Sequence, residues 1–295
     1  MNDREFLLGL TGFPLAHSLS PRLHQAALDH YGFSGSYSLF PIEPGPDAES
    51  QLRALCDKVR DNSLSGFNVT IPHKQAILSC VDGVTREAGL IGAVNTVYSK
   101  NGKVIGDNTD AGGFLMDLGN LIDLATPKSA LVLGAGGAAR AVVFGLVNNG
   151  WKVYLAARRI HQAEELGESF ESIAQNGQIV PLALNEGSLR TVSGICDLIV
   201  NATPAGMSPN DDICAWPEEI EFPEQAVLYD LIYNPSETYL MKRAAVQKVR
   251  CRNGMGMLIE QAALAFEKWT GQVVDRQVMW HSVSDFITEA SGRNL

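Results

Sequence analysis

Leu131-Val132-Leu133-Gly134-Ala135-Gly136-Gly137-Ala138-Ala139-Arg140-Ala141 places a short apolar run before a glycine turn, and an amphipathic stretch after it. The spacing is G-x-G-x-x-A between a strand pattern and a helix pattern, the context that a dinucleotide-binding turn requires. Gly134 serves the tight turn, Gly136 the approach of the backbone to a pyrophosphate, and Ala139 the packing of helix on strand. Free amides at the helix N-terminus supply partial positive charge for the phosphates. An ordinary glycine-rich turn is the plainer alternative, and the next strand pattern argues against it. It ends Ala156-Ala157-Arg158-Arg159, with two guanidiniums and no acid. A carboxylate there would bond a ribose 2′-hydroxyl and repel a 2′-phosphate, whereas arginine attracts the phosphate. The expected cofactor is therefore NADP.

On both sides of this turn, short apolar runs alternate with longer amphipathic stretches, the pattern of parallel strands joined by crossover helices. The predicted class is α/β. Before the turn the pattern predicts strands over 6–10, 37–41, 66–70 and 93–98, and helices over 21–31 and 48–61 with Ser20 as a cap. After it come strands over 130–133, 152–156, 179–182, 198–201 and 227–231, and helices over 138–149 and 160–175. Leu124-Ala125-Thr126-Pro127-Lys128 reads as an exposed boundary between the two series. A last helical pattern over 256–269 is apolar on nearly all faces and should be buried, and residues 291–295 should fray.

The 295 residues are 45% hydrophobic and 19% charged, which excludes a disordered chain and fits two cores. A net charge of −10 argues against nucleic acid as a partner. The apolar run ending at Gly12 is too brief for a secretory signal or a membrane span, so the expected location is the cytoplasm, with no membrane partner. Cys56, Cys80, Cys196, Cys214 and Cys251 are scattered and never spaced C-x-x-C, which predicts reduced thiols and no metal site.

The chemistry-bearing residues of the first series stand in short polar segments: His17-Ser18-Leu19-Ser20, Asn68-Val69-Thr70-Ile71-Pro72-His73-Lys74, Asn95-Thr96 and Asn108-Thr109-Asp110. They read as loops after the strands of the first series, and the carboxyl ends of strands in open α/β sheets form the ligand crevice. Singly, each has a plain reading. Ser18 or Ser20 would cap a helix, Asn95 would form a turn, Asp110 would cap a helix over 114–121, and Lys74 would be a solvated helix residue.

Together with Gly12-Phe13-Pro14-Leu15-Ala16-His17-Ser18-Leu19-Ser20-Pro21, Gly92-Ala93-Val94-Asn95-Thr96, Gly106-Asp107-Asn108-Thr109-Asp110, Asn201-Ala202-Thr203, the segment Tyr229 to Pro235 and the segment Gly254 to Ala262, these motifs resemble the shikimate dehydrogenase family, its quinate relatives included. The resemblance extends over essentially the whole chain. It implies NADP-linked reduction of 3-dehydroshikimate to shikimate, on the route to chorismate and the aromatic amino acids. The implied architecture is an open-sheet substrate domain over 1–112 and 256–295, and a Rossmann-type NADP domain over 113–255. The family pattern puts Ser18 and Ser20 on the substrate carboxylate, with Tyr233 closing the site nearby. It sets Thr70, Lys74, Asn95, Asp110 and Gln261 around the ring hydroxyls. The implied cofactor contacts are Gly134, Ala135, Gly136, Gly137, Ala138, Arg158, Arg159, Leu231, Gly254 and Met257. Two departures stand out: Gln25 after His24, where the family often has Asn, and Ala157-Arg158-Arg159 in place of Asn-Arg-Thr.

Reduction of a ketone by a nicotinamide needs a proton donor within reach of the carbonyl oxygen. Lys74 is the expected proton relay and Asp110 its orienter and hydroxyl acceptor. His17, His24 and His73 offer an alternative base, but none has a carboxylate orienter in its own motif. Two other functions compete: a quinate-active or NAD-preferring relative, and a non-catalytic NADP sensor. Paired serines and the missing acid oppose the first, and the retention of both Lys74 and Asp110 opposes the second. The expected assembly is a monomer or homodimer.

Overall fold

The computed structural model describes residues 5–126 and 128–286, which form two compact units, residues 5–113 with 259–286 and residues 114–258. The expected fraying of 291–295 and Pro127 of the expected boundary lie outside the described residues.

In chain order the first unit holds β1 (Phe6–Gly12), α1 (Ser20–His30), β2 (Gly35–Pro41), α2 (Ala48–Arg60), β3 (Gly66–Val69), β4 (Gly83–Val84), α3 (Arg86–Ile91), β5 (Thr96–Lys100), β6 (Lys103–Asp107) and the start of α4 (Asp110–Gly119). Its six-stranded sheet has the order β2-β1-β3-β5-β6-β4. Leu52, Leu55 and Val59 lie at helical spacing and bury one face of α2 with Phe67, Val69, Val97 and Val104 of the sheet.

This sheet is not wholly parallel. β5 runs antiparallel to both β3 and β6, because Asn101 (φ 54°) and Gly102 (φ 73°) close a tight hairpin between Lys100 and Lys103. Asn-Gly supplies the two left-handed residues that such a turn demands. β5 also begins at Thr96 rather than residue 93, because Asn95 N donates to the Asp107 carbonyl and Val94 N to that of Lys74, outside the ladder. Ser20 is the first residue of α1 and makes no cap bond; Ser18 Oγ instead accepts from Ser20 N at 3.3 Å.

The second unit continues with the rest of α4, β7 (Ser129–Leu133), α5 (Gly137–Asn148), β8 (Lys152–Ala157), α6 (Ile160–Glu168), β9 (Ile179–Ala183), α7 (Glu186–Val192), β10 (Leu198–Asn201), β11 (Val227–Asp230), α8 (Tyr239–Val246), β12 (Arg250–Arg252) and the first turn of α9 (Met255–Thr270). Its sheet is parallel throughout, in the order β12-β11-β10-β7-β8-β9, so the strand order reverses between β7 and β10. This is a Rossmann-type arrangement. α6 stops at residue 168 instead of 175, where Ser169 Oγ donates back to the Leu166 carbonyl at 2.7 Å. Such local bonds compete with helix propagation.

The remainder of α9 and α10 (Arg276–Ser282) belong to the first unit. A Cβ on Gly113 of α4 would lie 2.7 Å from the backbone nitrogen of Gln261, so only glycine lets the two helix backbones meet there. Trp269 Nε1 donates to the Val97 carbonyl at 3.0 Å and fixes the far end of α9 on the sheet. α9 is largely buried, as its all-round apolar pattern requires.

Candidate active site

The polar segments of the first unit converge because the sheet is mixed. β1, β3 and β6 deliver the loops at their carboxyl ends to one edge, and antiparallel β5 brings its amino end, Asn95-Thr96, to the same edge. Thr96 pairs with Asn68 on one side and with Asp107 on the other.

The centre of this edge is an ion pair. Lys74 Nζ donates to Asp110 Oδ2 at 2.6 Å, with side chains 13% and 6% exposed. Lys74 stands in the turn after β3 and is no solvated helix residue. Asp110 is likewise no cap: it is the first residue of α4, and Asn108 Oδ1 accepts from its backbone nitrogen at 3.0 Å. With Asn108 as the cap, both carboxylate oxygens of Asp110 are released for other partners.

Asn95 occupies the second oxygen, and its orientation is fixed by chemistry. Thr109 N, which can only donate, meets Asn95 Oδ1 at 2.7 Å. The Nδ2 end must then face Asp110 Oδ1 at 2.9 Å, Thr109 Oγ1 at 2.9 Å and Gln261 Oε1 at 3.3 Å. Lys74, Asn95, Asp110 and Gln261, far apart in sequence, thus form one bonded cluster. Ser18 and Ser20 sit at the entry to α1 and Thr70 just after β3, at the same sheet edge but outside that cluster. Tyr233 belongs to the second unit.

Of the three candidate histidines, His73 and His24 are otherwise engaged. His17 is exposed, and buried His73 has Nε2 at 2.7 Å from the Ile42 carbonyl, so that nitrogen carries its proton. His24 is fully buried against Tyr37, with ring centroids 4.5 Å apart, and burial pushes it down to about 3.

In the second unit the glycine turn has the geometry a pyrophosphate needs. Gly134 has φ +109°, and a Cβ there would lie 2.9 Å from the Ala202 carbonyl oxygen. Gly136 is exposed, would meet nothing with an added Cβ, and precedes α5 without a side-chain cap. The first amides of α5 are therefore offered outward. Ala135, Gly137 and Ala138 are half-buried around the turn, and Arg158 and Arg159 are exposed past the end of β8.

Leu231 and Gly254 are packed together: a Cβ on Gly254 would fall 2.0 Å from the Leu231 carbonyl oxygen, and Gly254 N donates to the Ile232 carbonyl at 3.1 Å. Met257 is buried at the start of α9. This corner rests on Asp230, which sequence reasoning did not single out. Fully buried, it accepts from Asn201 Nδ2 at 3.0 Å, Ile232 N at 3.1 Å and Thr238 Oγ1 at 2.7 Å. Burial raises its carboxyl to about 6 against those three donors. Asp107 was missed as well. Burial opposes its charge, yet Lys268, Thr85 and Asn108 N hold it below the ordinary carboxylate range.

Family models match in two places: the shikimate dehydrogenase substrate binding domain over residues 10–97, and the shikimate 5′-dehydrogenase C-terminal domain over 254–283. A shikimate dehydrogenase (NADP(+)) of Methanocaldococcus jannaschii is 38% identical over 291 residues, covering 98% of this chain and all of that one. The chain belongs to the shikimate dehydrogenase family. Among solved members, a Thermus thermophilus shikimate 5-dehydrogenase in complex with NADP(H) and shikimate is 37% identical, with TM-score 0.81 over 95% of this chain and 99% of that one. A Corynebacterium glutamicum quinate dehydrogenase in complex with NAD is 29% identical, with TM-score 0.85 over 96% of this chain and all of that one. Family membership therefore accounts for both units, while the choice of substrate and cofactor rests on individual side chains. Among the described residues, no helix is long and apolar enough to cross a membrane.

Proposed function

We propose that this chain is an NADP-dependent shikimate dehydrogenase, reversibly reducing 3-dehydroshikimate to shikimate on the route to chorismate and the aromatic amino acids. The observation that carries the reading is the buried Lys74–Asp110 pair at 2.6 Å, held by a correctly oriented Asn95. The first unit binds the substrate and the second the cofactor. A nicotinamide cofactor held at the glycine turn would supply the hydride for reduction and take it up in oxidation. Gly134, Gly136 and the amides of α5 would hold its pyrophosphate, and Arg158 and Arg159 its 2′-phosphate.

In the reducing direction the Lys74 ammonium gives a proton to the substrate carbonyl oxygen, and Asp110 keeps the ammonium aimed. In oxidation Lys74 takes that proton back. Asn95 and Gln261 combine donors and acceptors, which vicinal hydroxyls require, while Ser18 and Ser20 donate to the carboxylate, with Tyr233 beside it. The assembly in this reading is a monomer or homodimer, and the scattered cysteines fit work in the reducing cytoplasm. Initial rates with shikimate and quinate, each crossed with NADP and NAD, test the reading. A clear maximum for shikimate with NADP is expected, and a maximum for quinate with NAD would reverse it.

A further inference from the structure

Behind the reacting pair lies a line of polar side chains that the mechanism does not use. Tyr37, Asn68 and Thr96 are all buried, on β2, β3 and β5. The direction of every bond along it follows from groups that can act in one sense only. Asn68 Nδ2 donates to the Asn95 backbone carbonyl at 3.1 Å, so Asn68 Oδ1 is the end that receives the Tyr37 phenol at 2.7 Å. The other Nδ2 hydrogen goes to Thr96 Oγ1 at 3.2 Å. Thr96 Oγ1 in turn donates to Asn95 Oδ1 at 3.0 Å, the end of Asn95 already fixed as acceptor by Thr109 N.

We propose that Tyr37, Asn68 and Thr96 are positioning residues: a directed chain of hydrogen bonds runs from the Tyr37 phenol through Asn68, Thr96 and Asn95 to Asp110, and sets the orientation in which Asp110 holds Lys74. This rests on the reading of Lys74 and Asp110 as the reacting pair. All the donors point toward Asp110, so each bond polarises the next and strengthens the last one, Asn95 Nδ2 to Asp110 Oδ1 at 2.9 Å.

The far end is built to stay uncharged. Burial pushes the Tyr37 phenol well above its usual range, against a smaller pull from the Ser20 hydroxyl, so it keeps the proton it donates. His24 stacks on Tyr37 with planes 8° apart, and neither ring nitrogen makes a hydrogen bond of normal geometry. Burial holds that imidazole neutral, at about 3, against a smaller upward pull from Asn68.

The test uses Thr96→Val, nearly isosteric at a side chain that is 0% exposed, with Thr96→Ser as the conservative variant and Tyr37→Phe at the far end. Thr96→Val is expected to lower kcat for shikimate oxidation about tenfold with KM within about threefold, and Tyr37→Phe to lower kcat about threefold. Thr96→Ser restores the rate. In 15N–1H spectra of the unliganded protein, hydrogen exchange of the Asn95 side-chain amide quickens in Thr96→Val and returns toward wild type in Thr96→Ser. A folded Thr96→Val with wild-type kcat overturns the proposal. So does a loss that Thr96→Ser does not restore, or one that leaves the Asn95 amide unchanged. If the wild-type protein fails to oxidise shikimate, the reading of the pair falls, and the amide exchange alone decides the chain.

Discussion

The two units solve their binding problems with different parts of the polypeptide. In the first, side chains bond one another around Lys74 and Asp110, whose side chains are 13% and 6% exposed. In the second, the presented groups are mostly backbone: the turn at Gly134, the amides of α5 and the corner where Leu231 meets Gly254. Its buried side-chain network, Asn201-Asp230-Thr238, joins the ends of β10 and β11 to the cap of α8 and braces the corner from behind. A reacting centre needs specific acids and bases, whereas a phosphate needs only oriented donors. Replacements in the bonded cluster of the first unit should therefore act on turnover, and replacements in the second unit on cofactor affinity or stability.

The largest effect is expected at the pair itself. Lys74→Ala should lower kcat by about 10²–10⁴, the usual scale for general acid–base catalysis, with cofactor affinity near wild type. Asp110→Asn should lower kcat and also raise KM for shikimate, since it loses the orienting charge and a hydroxyl acceptor. Because the two act as one device, the double variant should be little worse than Lys74→Ala. Steady-state kinetics of the three variants, with circular dichroism to check folding, makes the measurement. A folded Lys74→Ala enzyme with wild-type kcat would remove the proton-relay role and bring back a histidine base.

Asp230 carries the matching prediction for the second unit, on stability. Two buried aspartates behave oppositely: Asp107 faces the cation of Lys268 and stays ionised, while the donors to Asp230 are neutral and its carboxyl rises from 3.8 to about 6. The folded protein then holds the proton more tightly than the unfolded chain. Stability from this group is full below the unfolded value and is lost as pH rises toward the folded one. The difference amounts to about 3 kcal/mol above pH 6, to order of magnitude. Asp230→Asn removes the titration but leaves the Thr238 hydroxyl without its acceptor, at about 1 kcal/mol. The variant should melt below wild type near pH 4 and above it near pH 8. Parallel dependence of melting temperature on pH for the two proteins across that range would show that folding does not raise the Asp230 carboxyl.

What could be read without the structure follows the same division. The glycine turn and the pair of arginines are contiguous, and so are the segments ending in Lys74 and Asp110, because strand ends gather functional groups into short motifs. The sheet was legible only in part. Asn101-Gly102 announces a hairpin, and its consequence, an antiparallel β5, is what delivers Asn95 from the amino end of a strand. Asn108 was legible as a polar neighbour but not as the cap that frees Asp110, since that depends on where α4 begins. Asp230 was hidden for a different reason: its partners, Asn201 and Thr238, come from the end of β10 and the cap of α8, and no local pattern announces a buried acid with neutral donors.

Arg158 tests the backbone-dominated side of the contrast. Its side chain is exposed, and loss of a charge-assisted phosphate contact costs on the order of 1.5–3 kcal/mol before screening by salt. NADP should be preferred over NAD by at least about tenfold in kcat/KM, and Arg158→Ala should raise KM for NADP by about that factor with kcat little changed. NAD kinetics should barely move. Equal losses with both cofactors would mean that Arg158 does not hold a 2′-phosphate, leaving Arg159 to be examined in its place.

The smallest effect is expected inside the first unit, at Ser18 and Ser20, which lie at the sheet edge but outside the bonded cluster. Their proposed target is a carboxylate that does not react, so their contacts are equal in ground and transition states and should appear in KM while kcat stays near wild type. Ser18 is half-buried and Ser20 is 6% exposed, so water replaces the first hydroxyl more readily than the second. Each Ser→Ala change is expected to raise KM for shikimate by less than about tenfold, Ser20 more than Ser18. Affinity for shikimate methyl ester, which lacks the charge, should fall less than affinity for the free acid. Isothermal titration of both ligands against the double Ala variant measures this directly. Equal relative losses would disconnect the serines from the carboxylate, and a fall in kcat as large as in KM would place them with the reacting cluster.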